Sequence, residues 1–378
     1  MFYEKLRILK EKSLFRTIKD RESTQGPRIK FNNVEYINFS SNDYLGLTNH
    51  PIIIEAVRHF LYIYGYGAGA SRLLSGGSIL HKELEKNIAL FKETESALLF
   101  NSGYAANIGI IPAITDENTV ILSDQLNHAS IIDGCRLSKS NTLIYKHKDI
   151  SHAEELLRTA GKKKKIIATD SVFSMDGDIA PIKELCTLCQ KYEAFLYIDD
   201  AHATGVLGKG KGSLAHFNIK PDPWIIQMGT FSKAFGSYGA FLVGSENIIQ
   251  WVTNNARSFI YSTALPSCVI AASIAALKFI ENNPAIIEKL WINRNKVANR
   301  LQQMGYDIMG SETPIIPLKT GSIENTIRIS SHLFNLGIYA PAIRPPTVQE
   351  PRIRITITAA HTDEDIERFI EALVKIRV

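Results

Sequence analysis

Apolar residues along this chain gather into short unbroken runs, at 97–100, 119–122, 142–145, 165–169, 194–198, 224–228 and 240–243. Most are rich in β-branched residues, the pattern of strands covered on both faces. Segments with helical spacing, such as 182–192, lie between many of them. From Pro51 onward this alternation predicts an α/β fold built on a large, mainly parallel sheet.

Both ends of the chain read differently. Residues 1–45 form an expected N-terminal arm: a charged helix, then alternation over 29–39 around Asn32-Asn33, the pattern of a hairpin. After 265, helical patterns over 266–281 and 285–304 lead into apolar runs at 315–318, 338–343 and 353–358. A last helix follows Thr362, with Asp363 and Glu364 in its first turn, where the helix dipole favours them. The expected division is therefore 1–45 (arm), 46–265 (large domain) and 266–378 (smaller α+β C-terminal domain), with no internal repeat.

Composition narrows the function only a little. The 378 residues are 45% hydrophobic and 21% charged, ordinary for a soluble enzyme. A net charge of +5 is too weak to imply nucleic acid; it suits a phosphate-rich ligand such as coenzyme A, and solubility explains it equally well. Residues 1–20 are charged throughout, so no secretory signal is expected. The longest apolar stretch, 268–280, is too short to cross a bilayer, so no membrane association is expected. Cys135, Cys186, Cys189 and Cys268 make no disulfide framework, which suits a reducing cytoplasm.

The chemistry concentrates after the strands. Lys233 sits in Thr230-Phe231-Ser232-Lys233-Ala234-Phe235-Gly236, a turn between two apolar runs, and the run 194–198 ends directly in Asp199-Asp200-Ala201-His202. A lone turn lysine is ordinarily solvated. Beside a carboxylate at the end of a neighbouring buried strand, it suits pyridoxal 5'-phosphate, which needs a Schiff-base amine and an acidic partner for its pyridine nitrogen. His202 could reach the cofactor's phenolic oxygen, and His128, after another strand, could stack on a planar ring. Phe100-Asn101-Ser102-Gly103-Tyr104 reads as strand, turn and helix start, whose free N–H groups suit a phosphate. Each of these taken alone has an ordinary structural explanation.

Other patterns lead nowhere. Gly205 to Lys211 matches a P-loop until Gly212 replaces the hydroxyl residue that holds magnesium, so a flexible loop is expected there. Gly65-Tyr66-Gly67-Ala68-Gly69 has no strand before it. Cys186 and Cys189 lie within an amphipathic helix and read as core, and no metal site is expected. Lys162 to Lys165 read as a solvated turn.

The ordered segments Ser40-Ser41-Asn42-Asp43-Tyr44-Leu45-Gly46-Leu47, Gly67-Ala68-Gly69-Ala70-Ser71-Arg72, Val172-Phe173-Ser174-Met175-Asp176-Gly177-Asp178, Asp199-Asp200-Ala201-His202 and Thr230-Phe231-Ser232-Lys233 together resemble the α-oxoamine synthases, a family of fold-type-I PLP-dependent transferases. Ala203 for glycine, Tyr104 for phenylalanine and a shorter loop at Gln349-Glu350-Pro351 depart from the family pattern.

The resemblance implies that Lys233 bonds the cofactor and takes the substrate α-proton. By the same resemblance Asp199 pairs with the ring nitrogen, His128 stacks, Ser174 and His202 serve the phenolic oxygen, and Gly103, Tyr104 and Thr230 hold the phosphate. Asn42 and Arg354 would meet an amino-acid carboxylate, with Arg16 and Thr347 nearer an acyl substrate. Ile343-Arg344-Pro345-Pro346-Thr347 and Arg352-Ile353-Arg354 point to L-alanine and a pimeloyl thioester, on coenzyme A or a carrier protein. The alternatives are a sister enzyme using glycine or serine, a transaminase, and a nucleotide- or carrier-binding protein without activity. A homodimer is also implied.

Overall fold

A computed structural model describes residues 2–376. The chain forms two compact units: Met1–Asn49, Met175–Asp178 and Glu288–Val378 in one, His50–Ser174 and Ile179–Ile287 in the other. The first begins with the charged helix Phe2–Glu11, followed by β1 (Arg28–Phe31) and β2 (Val34–Asn38). These strands pair antiparallel, Phe31 opposite Val34. The two-residue turn between them is asparagine twice, at φ 50° and 60°, a left-handed region that asparagine tolerates and that such hairpins require.

The larger unit holds a seven-stranded sheet. Its strands are β3 (Ser96–Phe100), β4 (Thr119–Asp124), β5 (Asn141–Tyr145), β6 (Lys164–Asp170), β7 (Phe195–Asp199), β8 (Ile225–Thr230) and β9 (Ala240–Gly244), in the order β3-β9-β8-β7-β6-β4-β5. Only β9 runs against its neighbours. The C-terminal ends of β3, β4, β6, β7 and β8 therefore share one edge, where open α/β sheets bind ligands.

Alternation along each strand feeds two cores. Ile121, Ile166, Tyr197 and Ile226 pack with Ala106, Ile110 and Val252 on one face. Val120, Ile167, Leu196 and Ile198 pack with Leu157, Leu185 and Leu188 on the other. Burying each such aliphatic side chain contributes about 1.5–3 kcal/mol, which is why unbroken apolar runs become central strands. Cys186 and Cys189 are part of the second core, within the helix Ile182–Tyr192, and burial pushes the Cys186 thiol up to about 12.

The segment expected to be a flexible loop is ordered. It winds through the short turn Gly208–Gly210, and Val206, Leu207 and Gly212 are buried. Its anchor is a buried ion pair: Lys92 Nζ lies 2.7 Å from Asp200 Oδ2 and donates to the Lys211 carbonyl at 2.7 Å. Ser213 N–H donates to both Asp200 oxygens at 3.2 Å. Gly212, at φ 103°, is required there, because a Cβ would stand 1.9 Å from Asp200 Oδ2. The residue that spoils the P-loop pattern thus makes room for a salt bridge.

In the smaller unit β10 (Ile315–Lys319), β11 (Ile338–Tyr339), β12 (Ala342–Ile343) and β13 (Arg352–Thr356) complete two three-stranded sheets, β1-β2-β11 and β10-β13-β12. The apolar run 338–343 forms two short strands, serving different sheets. Pro341 has no N–H to donate, so the ladder breaks there and the chain changes partners. The closing helix Asp363–Ile376 starts with a reciprocal cap: Thr362 Oγ1 accepts from Asp365 N–H at 3.1 Å and Asp365 Oδ2 from Thr362 N–H at 3.0 Å. Among the described residues no helix is long and apolar enough to cross a membrane.

Candidate active site

Five strand ends deliver the site. Within the larger unit, Lys233, Asp199, His128, His202, Thr230, Gly103 and Tyr104 line one cavity of about 250 Å³. Ser174, four residues beyond the end of β6, does not line it. The remaining expected residues belong to the smaller unit, and there they pair. Arg354 Nη2 donates to Asn42 Oδ1 at 3.1 Å, and Arg16 Nη2 to Thr347 Oγ1 at 2.8 Å.

Asp199 ends β7 and is 4% exposed. Its Oδ1 accepts from the Ala201 N–H at 3.0 Å and its Oδ2 from Asn107 Nδ2 at 2.8 Å. Such a carboxylate, buried and oriented, can hold a proton on a ring nitrogen beside it. Its register partner on β6 is Asp170, also buried, whose Oδ2 accepts the His128 N–H at 2.6 Å. Burial and the neighbouring Asp199 push Asp170 well above the usual carboxylate range. Sequence patterning did not single out Asp170, although it ends a strand as Asp199 does.

His128 caps the helix Ala129–Leu137, its Nδ1 accepting from Ser130 N–H at 3.3 Å. Burial lowers its pKa, Asp199 raises it and Lys233 lowers it again, with a net downward shift. A neutral imidazole is a better flat surface against an electron-poor ring than a cation would be. Lys233 is half-buried at the turn after β8, and its charge reaches both His128 and Asp170.

The opposite end of the cavity suits an anion. Ser102 caps the helix Gly103–Ile114, accepting from Ala105 N–H at 3.1 Å, and leaves the first N–H groups of that helix at the cavity. The Tyr104 phenol is engaged by Asp133, so Tyr104 brings its backbone rather than its ring hydroxyl. Thr230 Oγ1 donates to the Gly239 carbonyl at 2.7 Å and accepts from Ser232 N–H at 3.1 Å. Thr230 therefore shapes the turn, and Ser232, missed in the sequence, shares the cavity wall.

Amine, buried carboxylate, imidazole face and anion cradle together are the donor set that pyridoxal 5'-phosphate requires. No cluster of metal-ligating side chains occurs among the described residues.

In the smaller unit Arg354 is 5% exposed, and burial lowers its pKa while the Tyr44 hydroxyl beside it raises it. A guanidinium this buried, held by neutral partners, is suited to bidentate capture of a carboxylate.

Comparison with known proteins agrees with this chemistry. Residues 34–373 match the family model for aminotransferase class I and II. A Thermodesulfovibrio yellowstonii protein, named provisionally as an 8-amino-7-oxononanoate synthase, is 53% identical over 374 residues, 99% of this chain and 96% of that one. The 8-amino-7-oxononanoate synthase of Thermoanaerobacter pseudethanolicus is 44% identical over 380 residues, 99% of this chain and 95% of that one. Among solved structures, a lysine-to-alanine variant of serine palmitoyltransferase from S. paucimobilis with a bound PLP–myriocin aldimine superposes with TM-score 0.93. It is 26% identical, and the match covers 100% of this chain and 97% of that one.

Proposed function

Because the chain belongs to the aminotransferase class I and II family, we propose that its cavity binds pyridoxal 5'-phosphate for a decarboxylative condensation. L-alanine and a pimeloyl thioester are joined, carbon dioxide and a thiol are released, and 8-amino-7-oxononanoate is formed, a step of biotin biosynthesis. The observation that carries this reading is the meeting of Lys233, Asp199 and His128 around one cavity. Identity of 44–53% over nearly the whole chain to proteins bearing the synthase name supports the choice of substrates.

When bound, the cofactor supplies an electron sink for the carbanion at the alanine α-carbon. Lys233 Nζ would hold the cofactor covalently and would take the amino acid's α-proton. Asp199 keeps a proton on the pyridine nitrogen. His128 would cover the ring face, and His202 would serve the phenolic oxygen. The first N–H groups of the helix Gly103–Ile114, with Ser232, would hold the phosphate, beside the turn that Thr230 shapes. Arg354 and Asn42 bind the amino-acid carboxylate, and Arg16 with Thr347 meets the acyl substrate. We read the protein as a cytoplasmic homodimer, with coenzyme A or a carrier protein as the thiol released.

The test is product identification by mass. The protein is incubated with L-alanine, glycine or L-serine against pimeloyl-CoA, pimeloyl-carrier protein and palmitoyl-CoA. Product is expected only from L-alanine with a pimeloyl donor. Turnover of serine with palmitoyl-CoA, or stoichiometric keto acid without condensation, would overturn the reading.

A further inference from the structure

Behind the cavity lies a polar group that the chemistry above leaves unused. Asn107, on the helix Gly103–Ile114, is fully buried, as is Tyr197, two residues before Asp199 on the same face of β7. We propose that Asn107, oriented by Tyr197, is the positioning residue that fixes the Asp199 carboxylate and holds the Ser130 hydroxyl against the His128 ring. This deepens the proposed function and rests on it for the roles of those two groups.

The case is a count of protons. A buried tyrosine offers one O–H, an amide one acceptor oxygen and two N–H, and a serine one O–H. Tyr197 O–H donates to Asn107 Oδ1 at 2.5 Å. Desolvation holds the Tyr197 phenol well above its ordinary pKa, so it remains a donor. The Asn107 amide therefore cannot flip without setting oxygen against oxygen. Its Nδ2 then gives one hydrogen to Asp199 Oδ2 and the other to Ser130 Oγ, each at 2.8 Å.

Ser130 Oγ keeps a second lone pair beside the one Asn107 fills, so its direction toward His128 Nδ1, 2.7 Å away, is decided by the other group at that nitrogen: where Nδ1 accepts, the Ser130 O–H donates to it. The Ser130 backbone N–H points to the same nitrogen. Two donors on Nδ1 place the imidazole proton on Nε2. Asn107 thus fixes Asp199 directly and holds the Ser130 hydroxyl, while the Ser130 backbone N–H marks His128 Nδ1 as the acceptor. Of the charged neighbours, Asp199 favours a protonated ring, but burial and Lys233 outweigh it, and Asp170 binds the His128 backbone N–H rather than the ring.

The test is nitrogen NMR of the holoenzyme labelled at histidine, with kcat and the pH profile of the cofactor's absorbance measured in parallel. At neutral pH wild type should show His128 Nδ1 bare and Nε2 protonated. Tyr197→Phe should lower kcat about tenfold and shift the absorbance profile, because one buried hydrogen bond is lost and the amide can turn. Asn107→Leu should lower kcat further. Tyr197→Phe alters a single oxygen, so it keeps the test open should Asn107→Leu fold poorly.

A proton on Nδ1 in wild type would overturn the proposal, as would a Tyr197→Phe enzyme with unchanged kcat and unchanged profile. The expected tautomer in a protein that takes up no reducible cofactor would support the relay and count against the proposed function alone.

Discussion

Asp170 and Asp199 are register partners on β6 and β7, so two buried carboxylates stand side by side at the cavity floor. Burial, with the charge of Asp199 beside it, drives the Asp170 pKa upward. Asp199→Asn removes the charge that holds the ring proton and is expected to lower kcat by roughly a hundredfold or more. Asp170→Asn replaces a group already biased toward neutrality with one that still accepts the His128 N–H. Its kcat should stay within about threefold of wild type. Steady-state kinetics of both variants decide this, and equal losses would contradict it.

The Lys92–Asp200 pair gives a stability prediction. Both side chains are almost wholly buried, so Lys92→Met strands a carboxylate and should cost about 3–5 kcal/mol in denaturant unfolding. Lys92→Met combined with Asp200→Leu should be less destabilised than the sum of the single changes. Gly212→Ser, which would complete the P-loop pattern, should destabilise and bring no nucleotide binding. A double variant that is simply additive would show that the pair is not coupled.

Arg354 can be tested through the amino acid. Lysine keeps the charge but loses the planar fork, so Arg354→Lys should raise the KM for L-alanine about tenfold. The KM for the pimeloyl thioester should hardly move. Equal effects on both substrates would contradict a role in carboxylate capture.

His361 predicts a pH dependence of stability. Desolvation lowers its pKa to about 4, and its ring packs on Phe39 at 4.4 Å between centroids. Nδ1 accepts from Thr358 N–H at 3.0 Å, so the neutral form is the folded one. The unfolded histidine takes a proton near pH ~6.5 and the folded one only near 4, so the contribution is complete above ~6.5. It is lost as pH falls through that window, by up to ~1.4 kcal/mol per pH unit. Thermal melts of wild type should therefore weaken from pH 7 to 4.5, and His361→Gln, less stable at pH 7, should show a shallower slope. Parallel curves would contradict this.

What could be read from the sequence follows the range of the forces. The strands inside the large sheet were legible because burial on both faces forces unbroken apolar runs, although the edge strand β5 is only partly buried, and Asp199, His128 and Lys233 were legible because each follows such a run. The apolar run 338–343 divides at Pro341, where a missing N–H outweighs continuous hydrophobicity. Asn107, Tyr197, Ser130, Asp170 and Lys92 were not singled out. Asn107 reaches Asp199 across 92 positions and Lys92 reaches Asp200 across 108, and neither contact leaves a local pattern. Gly212 rightly argued against a phosphate loop, but the flexible loop expected there is ordered around the Lys92–Asp200 pair.

The attachment of the cofactor is the point on which the chemistry turns. Holoenzyme reduced with borohydride, digested and sequenced by mass spectrometry should carry a single pyridoxyl group, on the peptide containing Lys233, and Lys233→Ala should carry none. A pyridoxyl group on another lysine, or no adduct in wild type, would contradict the account.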